Sequence, residues 1–225
     1  MSDSYSRTRG RLETYFDQTA SKTWERLTSD APVSKIRQTV REGRDRMRTS
    51  LLSHLPEDLR GARVLDAGCG TGAMSEVLAM RGARVVATDI SPSLLEIAHK
   101  RMPEQHHGSI DFIAGDMLDP TLGEFDYVVA MDSLIHYAPV DTAKALSQLS
   151  TRTQERILFT IAPKTVMLSA MHLAGKIFPR SDRSPAIVPM TGDEISRSLS
   201  TGWRLTQHAR VNTAFYKSQA MELHP

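Results

Sequence analysis

The sequence of 225 residues predicts an α/β fold, a doubly wound and mostly parallel sheet of seven strands with helices on both faces. Two observations favour this fold. Short apolar runs alternate with helical patterns through the middle of the chain, and residues 64–67 read as a buried strand that enters a glycine-rich loop. Ligands of such sheets bind at the carboxyl ends of the strands, so a site is expected there.

The elements follow in order along the chain. Residues 1–60 are polar with helical spacing, so two or three helices are expected to form an N-terminal cap. Apolar runs predict strands and the intervening patterns predict helices in the core, residues 61–162. The predicted strands are residues 63–66, 85–88, 110–113, 127–130 and 157–161, and the predicted helices are residues 73–81, 93–101 and 141–151.

The regular alternation stops after the fifth strand. Residues 163–189 are interpreted as an inserted lid over the site, with an apolar helix-like stretch at 166–178. Residues 190–225 are expected to close the fold with one helix, at 193–199, and two strands. Thr191 followed by Glu194 has the spacing of a capping box at the start of that helix. All four parts are expected to form a single domain.

Composition limits the classes of function. The net charge is only +2, and no basic run with interleaved aromatics marks a nucleic-acid groove, so no nucleic-acid partner is expected. The single cysteine, Cys69, allows no disulfide within the chain. No apolar segment has the length of a signal peptide or of a spanning helix, so a cytoplasmic protein is expected.

The glycine loop differs from two common nucleotide sites. It lacks the lysine of a phosphate-binding loop, and Gly68, Gly70 and Gly72 follow G-x-G-x-G rather than the G-x-G-x-x-G of dinucleotide sites. Asp66 would also place negative charge beside a pyrophosphate. Asp89, at the end of the second strand, is suited to accept hydrogen bonds from ribose hydroxyls. A nucleoside that carries a positive charge and no phosphate therefore fits best, and S-adenosylmethionine is such a molecule.

The loop resembles the first motif of class I methyltransferases, with Asp89 as the ribose acid and residues 115–117 as the adenine-side loop. A purely structural reading, with glycines for a tight turn and acids as helix caps, remains the alternative. Arg41 resembles an arginine that binds the cofactor carboxylate in related quinone methyltransferases, or is a solvated helix charge. The expected cofactor-binding residues are Arg41, Asp66, Gly68, Cys69, Gly70, Asp89, Ile90, Asp116, Met117 and Met131.

Further stretches resemble the magnesium-protoporphyrin IX O-methyltransferase family of bacteriochlorophyll synthesis. They include residues 15–17, 133–137, 159–163 and 178–185. The resemblance implies methyl transfer from S-adenosylmethionine to a propionate carboxylate of the metalloporphyrin, giving its monomethyl ester and S-adenosylhomocysteine. Magnesium enters only as part of the substrate, and no metal site of the protein's own is expected.

The implied chemistry needs no strong base. A propionic acid, with a reference pKa near ~4.3, is already ionised at neutral pH. Because the reaction neutralises a carboxylate and a sulfonium, excluding water and aligning the reactants should help it. The cap and the lid insertion are expected to do both.

The resemblance implies His136 as a catalytic residue that orients the acceptor carboxylate. Ligation of the central magnesium is less favoured, since magnesium prefers oxygen ligands, and a packed or capping histidine is the plain alternative. Many members of the family carry a tyrosine where this chain has Thr28. Tyr15, expected to be catalytic, or Tyr137 takes over its contact, unless that role is dispensable here. The alternative for Tyr15 is that it only anchors its helix.

The substrate-binding residues are expected mainly in the lid. Met167, Met171 and Phe178 would contact the macrocycle or, alternatively, pack in the core, and Tyr137 would contact it from outside the lid. Arg180 and Arg183 would hold a propionate, or lie on a solvated turn.

Three classes of function remain open. Besides the porphyrin methyltransferase, the chain could methylate a quinone or another small molecule, with His136 as general base, or bind cofactor or pigment without catalysis. A dinucleotide oxidoreductase is disfavoured by the glycine spacing. The expected partners are magnesium protoporphyrin IX and the upstream magnesium chelatase as its donor, with peripheral contact at the photosynthetic membrane.

Overall fold

The computed structural model describes residues 2–20, 35–102, 108–165 and 185–225. The helices are α1 (Asp3–Thr14), continued by a π-helical turn (Tyr15–Ala20), α2 (Lys35–Leu52), α3 (Ala73–Met80), α4 (Pro92–Arg101), α5 (Pro139–Ser150) and α6 (Gly192–Ser196). Two 3-10 turns cover Pro120–Leu122 and Leu134–His136. The strands are β1 (Arg63–Ala67), β2 (Arg84–Asp89), β3 (Ser109–Ala114), β4 (Phe125–Ala130), β5 (Thr153–Ile161), β6 (Arg204–Asn212) and β7 (Lys217–His224).

The seven strands form one sheet in the order β3-β2-β1-β4-β5-β7-β6. Strands β1 to β5 are parallel, and β7 runs antiparallel to both β5 and β6. The chain moves outward from β1 in one direction and resumes at β4 in the other, so the switch point lies between these two strands. The predicted fold class and its seven strands are confirmed.

The core has two layers because side chains alternate across each strand. Leu65 and Val128 face the layer that includes α1 and α5, whereas Val64 and Val129 face the layer that includes α2 and α3. All four are fully buried. Burying each such side chain contributes about 1.5–3 kcal/mol, which fixes the register of the central strands and hence the positions of their carboxyl ends.

The predicted capping box is confirmed. The Glu194 backbone N–H donates to Thr191 Oγ1 at 3.3 Å, and Glu194 Oε2 accepts from the Thr191 N–H at 2.9 Å. Helix α6 is shorter than expected, ending at Ser196.

The two ends of the predicted lid insertion meet beside β5. Pro163 pairs with Met190, and the Met190 N–H donates to the Ala162 carbonyl at 2.9 Å. Pro163 and Met190 thus lie next to each other at the carboxyl end of β5. Residues 166–184, which include the predicted helix of the lid, lie outside the described residues, as do residues 21–34.

A polar cluster ties the end of α2 to the outer strands. Glu222 of β7 accepts from Arg156 at 3.0 Å and pairs with His208 Nε2 at 2.5 Å. The His208 ring stacks on His54 with centroids 3.8 Å apart. Both oxygens of the Glu222 carboxylate therefore already have protein partners.

Within the described residues, every helix is too short or too polar to cross a bilayer.

Candidate functional site

A cavity of about 500 Å³ opens at the carboxyl ends of β1, β2 and β4, next to the switch point. The loops after these strands form one side, and α1, α2 and the β6–β7 hairpin form the others. Ten residues predicted from the sequence line it: Asp66, Gly68, Cys69, Gly70, Asp89, Ile90, Met117, Met131, His136 and Tyr137.

The glycine loop brings backbone into the cavity. Gly68 and Gly70 have φ angles of 82° and 55°, in the region that favours glycine. The N–H groups of Gly68 and Cys69 both donate to the Thr88 carbonyl, at 2.8 and 3.0 Å. A Cβ on Gly68 would lie 2.5 Å from the Cβ of Ser133, so only glycine allows the loops after β1 and β4 to approach this closely.

Asp89 is held at the end of β2 by backbone donors. Its Oδ2 accepts from the Gly70 N–H at 2.8 Å and its Oδ1 from the Ser91 N–H at 2.9 Å. Burial raises the pKa of this carboxyl, while the two backbone donors act in the opposite direction. Each oxygen keeps a second lone pair, so the carboxylate can accept two further hydrogen bonds, as the hydroxyls of a ribose require.

Asp66 is the second buried acid of the cavity. Its Oδ2 accepts from the Ser75 hydroxyl at 2.5 Å. Burial raises its pKa to about 7, and the nearby Asp89 charge adds to the rise. A cation bound in the cavity would favour the ionised form, so this site is suited to a positively charged ligand.

Asp116, expected on the adenine side, has another set of contacts. Its Oδ1 accepts from the Tyr5 hydroxyl at 2.8 Å, and its Oδ2 pairs with Arg9 at 2.8 Å. It is not among the described residues that line the cavity, although its neighbour Met117 is. The carboxylate thus anchors α1 over the loop that follows β3.

Helix α1 continues into the π-helical turn Tyr15–Ala20. Asp17 accepts from the Ser93 hydroxyl at 2.6 Å and from the Ser93 N–H at 3.1 Å, which fixes the turn to α4. Phe16 lines the cavity and packs edge-on against His136, with ring centroids 6.1 Å apart. Tyr15 packs against Phe16 at 5.2 Å and is not among the described lining residues.

His136 lies in the 3-10 turn after β4. Its Nδ1 is 3.2 Å from the Ala186 carbonyl oxygen, an acceptor, so Nδ1 carries the proton of the neutral ring. Burial lowers its pKa, and the imidazole is therefore mainly neutral at neutral pH. Tyr137, next to it, is buried and stacks on Tyr5 with centroids 4.7 Å apart.

Asp132 organises the opposite wall, and sequence reasoning missed it. It has a positive φ of 57° although it is not a glycine. The Tyr216 hydroxyl donates to its two oxygens at 3.0 and 3.1 Å, and Arg44 lies 3.6 Å from Oδ2. The Thr160 hydroxyl accepts from the Asp132 N–H at 2.7 Å. No local motif indicates these contacts, because they join β4, β5, α2 and the hairpin.

Helix α2 presents different arginines to the cavity from the one predicted. Arg44 and Arg48 line it, and Arg41, one turn earlier, is not among the described lining residues. Helical spacing was the available signal, since residues 41, 44 and 48 share one face. Of the predicted lid residues, Met167, Met171, Phe178, Arg180 and Arg183 lie outside the described residues.

A family model described as the C-terminus of magnesium-protoporphyrin IX methyltransferase matches residues 130–225, and a methyltransferase-domain model matches residues 64–155. A magnesium-protoporphyrin O-methyltransferase of Rhodobacter capsulatus is 52% identical over 226 residues, with 100% of both chains covered. The magnesium protoporphyrin IX methyltransferase of Arabidopsis thaliana chloroplasts is 29% identical, with 94% of this chain and 69% of that one covered.

Solved structures similar to this chain include a member of the same family as these relatives. The magnesium protoporphyrin IX methyltransferase of Synechocystis PCC 6803 with bound SAH superimposes with a TM-score of 0.83 at 27% identity, covering 96% of this chain and 99% of that chain. A cyclopropane-fatty-acyl-phospholipid synthase-like protein of Lactobacillus casei, at 15% identity and a TM-score of 0.63, shares the fold alone.

Proposed function

The chain belongs to the magnesium-protoporphyrin IX methyltransferase family, and we propose on this premise how its cavity performs the reaction. The enzyme transfers a methyl group from S-adenosylmethionine to a propionate carboxylate of magnesium protoporphyrin IX, giving the monomethyl ester. One observation supports the placement of this reaction: a single cavity holds the glycine loop, Asp66 and Asp89 together with the turn that carries His136.

The residues present fit the cofactor. The Asp89 carboxylate would accept from the ribose hydroxyls, and the acid at Asp66 would sit near the cationic part. Ile90, Leu94 and Met117 offer apolar contacts for the adenine. When bound, S-adenosylmethionine supplies a methyl group on a positively charged sulfur.

The protein's task toward the acceptor is to orient it and exclude water. The acceptor carboxylate is ionised near neutral pH, so no residue has to remove a proton. We assign this orienting role to His136, whose Nδ1–H is committed to the Ala186 carbonyl, leaving Nε2 for the ligand. Phe16 and Leu12 line the cavity above the loops and displace water from it.

The state of Nε2 separates two roles for His136. To donate to a carboxylate, Nε2 must carry a proton, and an anionic substrate beside it would raise the pKa that burial has lowered. A neutral Nε2 offers only a lone pair, as ligation of the central magnesium would require. We favour the first role, because magnesium prefers oxygen ligands.

The His136 roles predict opposite pH dependences. If the imidazolium of His136 orients the carboxylate, kcat/KM falls as pH rises above the lowered pKa of His136. If neutral His136 binds the magnesium of the substrate, kcat/KM falls as pH decreases below that pKa. His136→Ala should lower kcat about 10- to 100-fold while the affinity for S-adenosylhomocysteine stays within twofold. His136→Gln is the control: its amide donates without titrating, so it should recover part of kcat with a flat pH profile. An unchanged kcat in His136→Ala would remove the assignment.

The whole activity is tested with purified protein, S-adenosylmethionine and three acceptors. We expect one methyl group to be added to magnesium protoporphyrin, and far less to the metal-free ring or to a quinol. Turnover of the quinol with none of the porphyrin would favour a quinone methyltransferase. Tight binding of the porphyrin without transfer would favour a non-catalytic pigment-binding protein.

The delivery of substrate is also proposed. A large apolar macrocycle is poorly soluble in water, so direct transfer from the upstream magnesium chelatase and a peripheral contact at the photosynthetic membrane would both shorten its path. Co-sedimentation with anionic lipid vesicles, and with the chelatase added, measures each contact separately. Recovery of all protein in the supernatant in both cases would contradict the proposal.

A further inference from the structure

Two exposed apolar side chains lie on the rim of the cavity. Phe215, in the turn between β6 and β7, is 57% exposed, and Ile187, just before α6, is 41% exposed. Both line the cavity, together with Ala214. Single exposed apolar residues are common on protein surfaces, but here two line the same cavity.

The backbone is fixed on both sides of Phe215. The Thr213 N–H donates to the Tyr216 carbonyl at 2.9 Å, and the Tyr216 N–H donates to Thr213 Oγ1 at 3.0 Å. The Tyr216 hydroxyl is bound to Asp132. A Cβ on Gly43 would lie 2.6 Å from the Tyr216 ring, so the glycine lets α2 pack directly on it. The exposed ring of Phe215 is therefore presented by a rigid turn.

The same arrangement holds Ile187. The Ala186 carbonyl accepts from His136 at 3.2 Å, and the Val188 N–H donates to the Ile135 carbonyl at 2.8 Å. The segment that presents Ile187 is thus the one that fixes the His136 ring. Hydrogen bonds on both sides of Ile187 therefore connect it to the turn that carries His136.

The size of the cavity decides where a macrocycle can go. Pockets for one drug-sized ligand measure about 300–1,000 Å³, and this cavity of about 500 Å³ also has to hold S-adenosylmethionine. A cavity within the range for one ligand favours the cofactor with a single carboxylate arm of the acceptor over the cofactor with a whole porphyrin. A flat apolar macrocycle would then cover the mouth, where its face meets the rim.

We propose that Phe215 and Ile187 form an apolar shelf on which the metalloporphyrin plane rests, while one propionate enters toward His136. This inference rests on the proposed function and adds the position of the substrate. Aromatic rings favour offset stacking, which suits a phenyl ring against a tetrapyrrole. Phe215 is then a positioning and specificity residue for the acceptor and not for the cofactor.

The test compares four variants with the wild-type chain: Phe215→Ala, Phe215→Trp, Ile187→Ala and Val140→Ala. Val140 is 49% exposed and is not among the described residues lining the cavity, so it matches Phe215 in exposure alone. The measurements are the Kd for magnesium protoporphyrin from its absorbance, the Kd for S-adenosylhomocysteine, and KM and kcat for methyl transfer.

We expect Phe215→Ala to raise the Kd and KM for the porphyrin about tenfold, with kcat at saturation and the S-adenosylhomocysteine Kd within twofold. Phe215→Trp keeps an aromatic ring and should bind the porphyrin with a Kd close to that of the wild type. Ile187→Ala should raise the porphyrin Kd about threefold. Val140→Ala should have the wild-type Kd. Porphyrin Kd and KM within twofold of wild type in both Phe215→Ala and Ile187→Ala would overturn the shelf. An equal loss of S-adenosylhomocysteine affinity would also overturn it, since the rim would then serve the cofactor.

The result for the wild-type chain separates this inference from the proposed function. If the wild type methylates the porphyrin and the rim variants behave like it, only the shelf is wrong. If the wild type neither binds nor methylates the porphyrin, the proposed function fails and the shelf fails with it. Phe215→Trp and Ile187→Ala keep the test decisive if Phe215→Ala does not fold.

Discussion

Two walls of the same cavity are built by different means. The cofactor wall, comprising residues 66–72 and Asp89, depends on contacts between neighbouring strands, such as Gly70 to Asp89, which are 19 residues apart. The hairpin wall, comprising residues 213–218 and Asp132, depends on a contact between residues 84 positions apart, Tyr216 and Asp132. The first wall is a product of the strand order, whereas the second is assembled by packing.

The difference bears on how each wall tolerates change. Adjacent parallel strands bring their carboxyl ends together whatever the rest of the chain does, so the cofactor wall follows from the sheet. The hairpin wall forms only when three features are present together. Asp132 must adopt its positive φ, Gly43 must leave space for the Tyr216 ring, and the Tyr216 hydroxyl must donate to Asp132. Strained backbone of this kind persists only where its surroundings over-determine it. We therefore expect changes in the cofactor wall to act on cofactor binding, and changes in the hairpin wall to act on stability and on the acceptor.

Asp89→Ala should have the largest effect. Two hydrogen bonds from ribose hydroxyls to a charged carboxylate are lost, each typically about 1.5–3 kcal/mol, so the Kd for S-adenosylhomocysteine should rise at least ~100-fold. Isothermal titration calorimetry measures this change. Asp111→Ala, which removes an exposed acid of β3, is the matched control and should bind normally. An unchanged Kd in Asp89→Ala would contradict the claim that the cofactor wall determines cofactor binding.

Asp66 should make cofactor binding depend on pH. Its pKa in the free chain is raised to about 7 by burial, so below pH 7 a bound cation must first displace a proton. Affinity for S-adenosylmethionine should then fall up to tenfold for each pH unit below 7. Since the folded pKa lies above the unfolded value of ~3.9, the free chain loses stability as pH rises from about 4 to about 7, and no further loss from Asp66 follows above that range.

Titration calorimetry checks this prediction by measuring the S-adenosylmethionine affinity of the wild type and of Asp66→Asn over about three pH units around neutrality. The variant cannot ionise, so its affinity should be weak and flat over this range. A variant that keeps the wild-type slope would assign the pH dependence to another group.

Tyr216→Phe should have the smallest effect and should act on the hairpin wall alone. Losing the hydrogen bond to Asp132 should lower the free energy of unfolding by about 1–2 kcal/mol and raise the porphyrin KM a few-fold. The Kd for S-adenosylhomocysteine should stay within twofold. Urea denaturation and steady-state kinetics measure the two effects. Tyr127→Phe, in a half-buried tyrosine of β4, is the control. A larger effect on cofactor than on porphyrin would contradict the comparison.

Sequence reasoning named residues of the cofactor wall and none of the hairpin wall. The strands, the capping box at Thr191 and the positions of Asp66 and Asp89 follow from local signals, because periodicity and turn residues report on a few neighbouring positions. Asp116 shows the limit of such signals: its place after β3 does not indicate its bonds to Tyr5 and Arg9. Tyr5 and Arg9 belong to the N-terminal helix, so the sequence around residue 116 contains no signal for these contacts.

What the sequence determined by itself is the fold class, the glycine loop at the end of β1 and the kind of cofactor that its acids accept. Alternation of apolar residues and glycine's freedom at positive φ are properties of short stretches, so they can be recognised without the fold. Only the tertiary structure decided that Asp132 meets Tyr216, that Ala186 fixes the His136 ring and that Phe215 stands on the rim. These contacts join segments far apart in the chain, and their geometry depends on how the helices and the hairpin pack against the sheet.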